Sequence, residues 1–186
     1  MEFDDLKRCV EKTIEEIYTS EAYLIKHSLS EWTLSAQFHY YMRNACLKFL
    51  KGYDFDSEYN LMRHINDKGL AQKHICVNGQ RLHVRPDFII HKRGKSTNNY
   101  LWVELKRRGG DGWENDLKRV RAVTQERVKA EGVDYVTGYT YGLGVLFHKR
   151  DVKCEWYAGG RRMANARMSI NSAGTWKCVA KEFTEA

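Results

Sequence analysis

The sequence predicts an α/β domain, a mixed sheet flanked by helices, and three observations carry that expectation. Two segments with apolar residues every three or four positions open the chain. Short runs rich in β-branched and aromatic residues follow, separated by turn residues. One further helical pattern interrupts those runs, and neighbouring strands joined by a helix crossover make a mixed sheet with helices packed on it.

The first helix covers residues 4–18, with Leu6, Val10, Ile14 and Ile17 on one stripe. The second covers 30–51, with Leu34, Phe38, Tyr41, Ala45 and Phe49 as its buried side. Ser28-Leu29-Ser30-Glu31 fits a capping box, so Glu31 is either a helix cap or free for another role. Residues 54–60 alternate, Phe55 and Tyr59 against Asp54, Asp56, Glu58 and Asn60, and read as a strand whose two aspartates face water. Residues 61–73 read as an irregular excursion. Ile75-Cys76-Val77 meets Asn78-Gly79, a hairpin-turn signal, so a strand at 74–77 is the alternative to 54–60 as neighbour of the next strand.

That next strand is 85–91, around Asp87, and it contains Pro86, the single proline of the chain. A turn over 93–99 leads to a strand at 100–106, around Glu104. A glycine-rich loop, 107–112, then enters a helix at 113–130, with a capping box at Asp111 to Glu114, a stripe at Leu117, Val120, Thr124 and Val128, and a stop at Gly132. Strands at 134–147 and 152–157 follow. A basic extension over 158–186 holds one more candidate strand near 176–180.

The 186 residues fit a single domain, and 42% hydrophobic with 12% aromatic content fits a folded globule. No apolar run approaches the roughly 18 residues of a membrane span. The five cysteines are scattered, with no C-x-x-C pair, which argues against a zinc site or a disulfide framework and fits a reducing cytoplasm. A net charge of +7 and a pI near 9.1 suit a polyanionic partner.

The chemistry sits in Arg85-Pro86-Asp87-Phe88-Ile89-Ile90-His91 and Leu101-Trp102-Val103-Glu104-Leu105-Lys106. Each places a carboxylate in an apolar strand, where an unpaired charge is costly. Glu104 and Lys106 share one strand face, about 7 Å apart. Two carboxylates brought side by side repel unless a cation lies between them, and oxygen ligands of this kind suit Mg²⁺ or Mn²⁺.

Pro86-Asp87 followed by Glu104-x-Lys106, in that element order, resembles the PD-(D/E)xK nuclease superfamily over roughly residues 28–150, in the manner of its small bacterial and phage-type members. The resemblance implies a restriction-endonuclease-like core of helix, three-strand meander, helix and strand. It implies a Mg²⁺- or Mn²⁺-dependent endonuclease that hydrolyses nucleic-acid phosphodiesters, DNA ahead of RNA, and that acts as a homodimer if it cuts both strands. On that pattern Asp87, Glu104 and the Leu105 carbonyl hold the metal. Lys106 orients or helps deprotonate the attacking water, and Glu31 and Glu58 are auxiliary acids. Arg107, Arg108 and Lys118 contact the nucleic acid. The alternative of another class is a nuclease-fold protein that binds nucleic acid or a partner without cutting. Tyr139, Tyr141 and Trp156 read as core, and His91, on the face of Asp87, as a minor candidate for substrate contact.

Overall fold

The structure, a computed structural model, describes residues 1–27, 30–63, 70–95, 99–108, 110–125, 138–170 and 176–182. Three helices, α1 (Phe3–Ser20), α2 (Ala22–Lys26) and α3 (Glu31–Cys46), precede the strands. A seven-stranded sheet takes the order β1-β6-β7-β8-β9-β10-β11, where β1 is Asp54–Asp56, β6 Phe88–His91, β7 Leu101–Arg107, β8 Tyr141–Phe147, β9 Asp151–Ala158, β10 Arg161–Ile170 and β11 Trp176–Glu182. Two hairpins, β2–β3 (Leu61–Arg63, Leu70–Gln72) and β4–β5 (His74–Val77, Gln80–His83), lie between β1 and β6 in the chain. Helix α4 (Trp113–Val123) crosses from β7 to β8, the one parallel pairing among the described strands; all the others are antiparallel.

Strand β1 pairs with β6, Phe55 opposite Ile90, so residues 54–56 rather than 74–77 lie beside the Asp87 strand. The 74–77 segment instead closes its own hairpin across Asn78-Gly79, both at positive φ (51° and 76°), as the tight turn demands. The 61–73 stretch, expected to be irregular, contributes β2 and β3. The extension beyond 158 is likewise ordered sheet in its described part: Gly159-Gly160 turns β9 back into β10, and β11 follows it.

Helix α1 buries Leu6, Val10, Ile14 and Ile17, the expected stripe. Helix α3 buries Leu34, Phe38, Met42 and Cys46, an i, i+4 row; Tyr41 and Ala45 are half-buried, and Phe49 lies beyond the helix end with its ring exposed. Both helices cover one sheet face, meeting Phe88, Ile90, Leu101, Val103, Leu105, Val145 and Phe147. Alternation sends Ile89 and Trp102 to the other face, where they pack with Leu117, Val120 and Val123 of α4 and with Ile75 and Val84.

Two glycines seat α4. A Cβ on Gly142 would lie 2.6 Å from Val120 Cγ1 and 2.9 Å from the Val120 carbonyl oxygen; one on Gly144 would lie 2.6 Å from Leu117 Cδ2 and 2.8 Å from the Trp113 ring. Only bare backbone lets the helix approach β8 this closely. The N-cap of α4 is Gly112 at φ 91°, with no side-chain cap, so the capping box expected at Asp111 does not form: the left-handed turn puts glycine where an acceptor side chain would stand. Val128 and Gly132, expected in and after this helix, and Ser28 of the first capping box lie outside the described residues. No described helix is long and apolar enough to cross a membrane.

Candidate active site

On β7, alternation puts Trp102, Glu104 and Lys106 on the α4 side of the sheet. Glu104 stands beside Gly144 of β8 and is 4% exposed. Trp102 Nε1 donates to its Oε1 at 2.8 Å, and Arg119 Nη2 of α4 lies 3.6 Å from its Oε2. Burial, reinforced by the charge of Asp87, pushes the Glu104 carboxyl up to about 8.

Asp87 is not within β6 but immediately before it, after Pro86. Its Oδ2 accepts the Leu105 N–H at 2.6 Å, which ties it to β7, and its carbonyl accepts from Ser35 Oγ of α3 at 2.9 Å. Burial raises it to about 6; the Leu105 N–H opposes that rise, while Asp116 and Glu31 add to it. Two neighbouring carboxylates thus sit where ionising both is costly.

Lys106 bridges the remaining acids, its Nζ 3.2 Å from Glu31 Oε2 and 3.4 Å from Asp116 Oδ2. Burial alone would lower the ammonium, but Asp116 and Glu31 outweigh it and hold it above its ordinary value. Glu31 also accepts the Arg107 N–H at 3.2 Å. It is free to do so because Ser30 is the N-cap of α3, its Oγ accepting from Thr33 N–H, so Glu31 faces the strand end rather than capping its helix.

The structure therefore brings Asp87, Glu104, Lys106 and Glu31 together, and adds Asp116 and Arg119. Asp116 is 4% exposed and pairs with Arg119 one turn on. The sequence held one signal for it: residue 116 falls among 113, 117, 120 and 124, on the apolar stripe of α4, where a carboxylate is out of place.

Four expected participants are elsewhere. Glu58, at φ 51° in the turn after β1, pairs with Arg85 at 3.5 Å, and no described contact joins it to Asp87 or Glu104. Lys118, about 200° round α4 from Asp116, bonds Asn115 Oδ1 at 3.4 Å and lines a separate cleft with Arg121, Lys153 and Glu155. Arg107 ends β7 and Arg108 follows it, and both line a different cavity. Leu105 turns its side chain into the opposite core, and its backbone N–H serves Asp87. Tyr139 and Trp156 are core, and Tyr141 packs against Phe3.

A second acidic centre occupies the sheet edge. Asp56 is not on a wet face: it is 9% exposed, accepts from His91 Nε2 at 2.7 Å and from Arg93 Nε at 2.8 Å, and takes a further bond from Arg93 Nη2. Burial favours its neutral form, yet His91 and Arg93 hold it well below the ordinary carboxylate range. His91 is thereby committed to Asp56, and its ring lies against that of Tyr59 at 4.7 Å, tilted by 56°. Beside it Lys73, 3% exposed, points its ammonium at the rings of Tyr59, Trp102 and Tyr139 from 4.9 to 5.9 Å, and burial lowers it to about 7 against the pull of Asp56.

Among the described residues no three His, Cys, Asp or Glu side chains form a ready metal cage. The donor chemistry nevertheless fits a hard divalent cation: Asp87 and Glu104 are oxygen donors raised by burial and by a neighbouring carboxylate, and such an ion takes its remaining ligands from water, backbone carbonyls or substrate phosphate.

Comparisons with protein-family models, with curated proteins and with solved structures find no match to this chain.

Proposed function

We propose that the protein is a divalent-metal-dependent nuclease, acting on DNA ahead of RNA. One observation carries this reading: Asp87 and Glu104 are buried neighbours raised to about 6 and about 8, with the Lys106 ammonium close by on the same strand. Perturbed carboxylates of this kind concentrate where a protein does chemistry. The order α3, β1-β6-β7, α4, β8 supports it, since it follows the helix, meander, helix, strand core of the restriction-endonuclease-like proteins that the motif resembles.

In this reading Asp87, Glu104 and the Leu105 carbonyl hold Mg²⁺ or Mn²⁺, which when bound supplies Lewis-acid stabilisation of charge at the phosphoryl oxygens. Lys106 offsets charge on the scissile phosphate and orients the attacking water. Glu31 and Asp116 fix the ammonium, one from each side. Arg119 sets the Glu104 carboxylate from above. One site per chain makes cutting of both duplex strands the work of two copies.

A non-cleaving nucleic-acid binder on the same frame is the second reading, favoured by one observation: Lys106 and Arg119 already offset part of the acidic charge. The test is cleavage of single- and double-stranded DNA and RNA in Mg²⁺ and in Mn²⁺, beside Asp87→Ala and Lys106→Ala. Cutting that both substitutions abolish, with the fold kept, establishes the nuclease. No cutting of any substrate, with unaltered nucleic-acid binding by the variants, establishes the binder.

A further inference from the structure

A cavity of about 340 Å³ opens between α2, the start of α3 and the ends of β7 and β8. Its floor is apolar, built from Leu24, Leu34 and Phe147. Its rim is cationic, with Arg107, Arg108 and Lys149. No Asp or Glu is among the described residues that line it, in contrast to the cleft beyond α4, where Glu114 and Glu155 mix with the cations.

The walls are held in place. Arg108 N–H donates to the Phe147 carbonyl at 2.8 Å, and His148 N–H to that of Asp151 at 2.8 Å. From α1, Tyr18 Oη donates to the carbonyls of His148 and Asp151, which fixes the β8–β9 turn carrying Lys149. Its distance from the carboxylates is short in chain terms: Ser30 lines the cavity, and Glu31 takes both the Arg107 N–H and the Lys106 ammonium.

An inorganic anion satisfies the rim but leaves the floor wet. An aliphatic chain does the reverse. A ligand with a flat apolar body and an anionic edge satisfies both, and a nucleotide is that ligand. We infer that this cavity receives the base of a nucleotide whose phosphate lies on the Arg108 and Lys149 rim, so that a substrate strand enters the site with that base unpaired. The inference rests on the nuclease reading and names its substrate class. A paired, stacked base has to be extruded to fit, at a cost that is least where the strand is already open. Single-stranded or frayed DNA is then preferred to intact duplex.

The test begins without metal. Thymidine 5′-monophosphate is titrated, in EDTA, into the whole protein, into Leu24→Trp, which fills the cavity from its half-buried wall, and into Arg108→Ala/Lys149→Ala. The inference expects saturable millimolar or tighter binding, weakened at least tenfold in each variant, with inorganic phosphate and decanoate both poor competitors. Binding that Leu24→Trp leaves unchanged, equal competition by phosphate, better competition by decanoate, or no binding at all overturns it. Circular dichroism and a thermal melt confirm that each variant is folded, and Ile25→Trp, on the same wall, replaces Leu24→Trp if that one is not.

Cleavage then separates the two layers. A wild type that cuts single strands at least tenfold faster than duplex, with the ratio collapsing in Leu24→Trp, supports the inference. Duplex cut as fast as single strand, with the ratio unchanged in that variant, overturns it and leaves the nuclease reading standing. Nucleotide binding with the expected pattern but no cutting of any nucleic acid removes the nuclease reading and keeps the base cavity.

Discussion

The molecule buries carboxylates in two places and treats them in opposite ways. At the sheet edge Asp56 is given an imidazole and a guanidinium, and it ionises more readily than a free aspartic acid. In the middle of the sheet Asp87 and Glu104 receive a backbone N–H, an indole N–H and a guanidinium at 3.6 Å, and both hold their protons longer than free carboxylic acids do. The edge site is a finished ion pair, which adds stability. The central one is left short of positive charge, which costs stability and is the feature on which the metal proposal rests. Burial of an acid is therefore no sign of function by itself; the completeness of its neutralisation is what separates the two.

The same substitution at the two aspartates breaks the comparison most sharply. Asp87→Asn is expected to lower cleavage by about 10³-fold or more without lowering the melting temperature, as steady-state assays and thermal melts would register. Asp56→Asn is expected to leave cleavage within a few-fold and to cost about 2 kcal/mol of stability in urea, because His91 and Arg93 lose a charged acceptor. A large loss of cleavage in Asp56→Asn would join the edge centre to the chemistry.

Gly142→Ala tests how the central site is covered. The added methyl meets Val120, backbone included, so α4 has to lift; overpacking of this kind costs about 1–3 kcal/mol. Cleavage should fall with it, since Asp116 and Arg119 ride on the same helix.

The pH dependence of stability should show both centres with opposite sign. Glu104 binds its proton in the folded state up to about 8 but only to about 4.5 when unfolded, so its contribution makes stability fall as pH rises across that window. Asp87 adds a like fall between about 3.8 and about 6. Asp56 behaves conversely: its contribution is present above the ordinary aspartate value and is lost as pH drops toward its lower folded value. Denaturation curves should lose most of the decline between about pH 4.5 and about pH 8 in Glu104→Gln, and the loss of stability below about pH 3.8 in Asp56→Asn. The smallest effect concerns the ion itself: Mg²⁺ at ten times its dissociation constant at pH 8 should stabilise the wild type by about 1.4 kcal/mol there, less at pH 6 at the same concentration, and should do nothing for Glu104→Gln.

Much of this was legible in the sequence, and the misses share a cause. The stripe of α1, strands β6 and β7 and the α4 crossover were readable because each is a local pattern, although Asp87 falls just before β6 rather than in it. Asp87, Glu104 and Lys106 were readable as a motif, with Glu31 as an alternative to a helix cap; the structure pairs Lys106 with Glu31 and puts Asp87 within electrostatic reach of Glu104, Glu31 and Lys106. Asp56 was misjudged because its partners His91 and Arg93 lie 35 and 37 residues away, beyond the reach of strand alternation. Asp116 and Arg119 were passed over because a charged helix residue ordinarily faces water; only the approach permitted by Gly142 and Gly144 turns them inward. Glu58 fitted a two-residue period, but the backbone leaves β geometry at that position. Strand β10 was missed because its arginines mask an alternation that buries Ala164 and Met168.

The parallel pairing of β7 with β8, alone of its kind among the described strands, has a kinetic consequence. Antiparallel neighbours β6 and β7 close through a short connection, so Asp87 and Glu104 meet early in folding. Their cover does not: Gly144, Asp116 and Arg119 join them only when the crossover docks and β8 is laid down, a contact far along the chain and slow to form. On the ribosome, a nascent chain that has emerged only as far as residue 130 already carries the acidic hairpin, but with β7 as an open edge. The acidic cluster is covered only once β8 lies beside β7, so a chain released before that point exposes a sheet edge next to uncovered carboxylates.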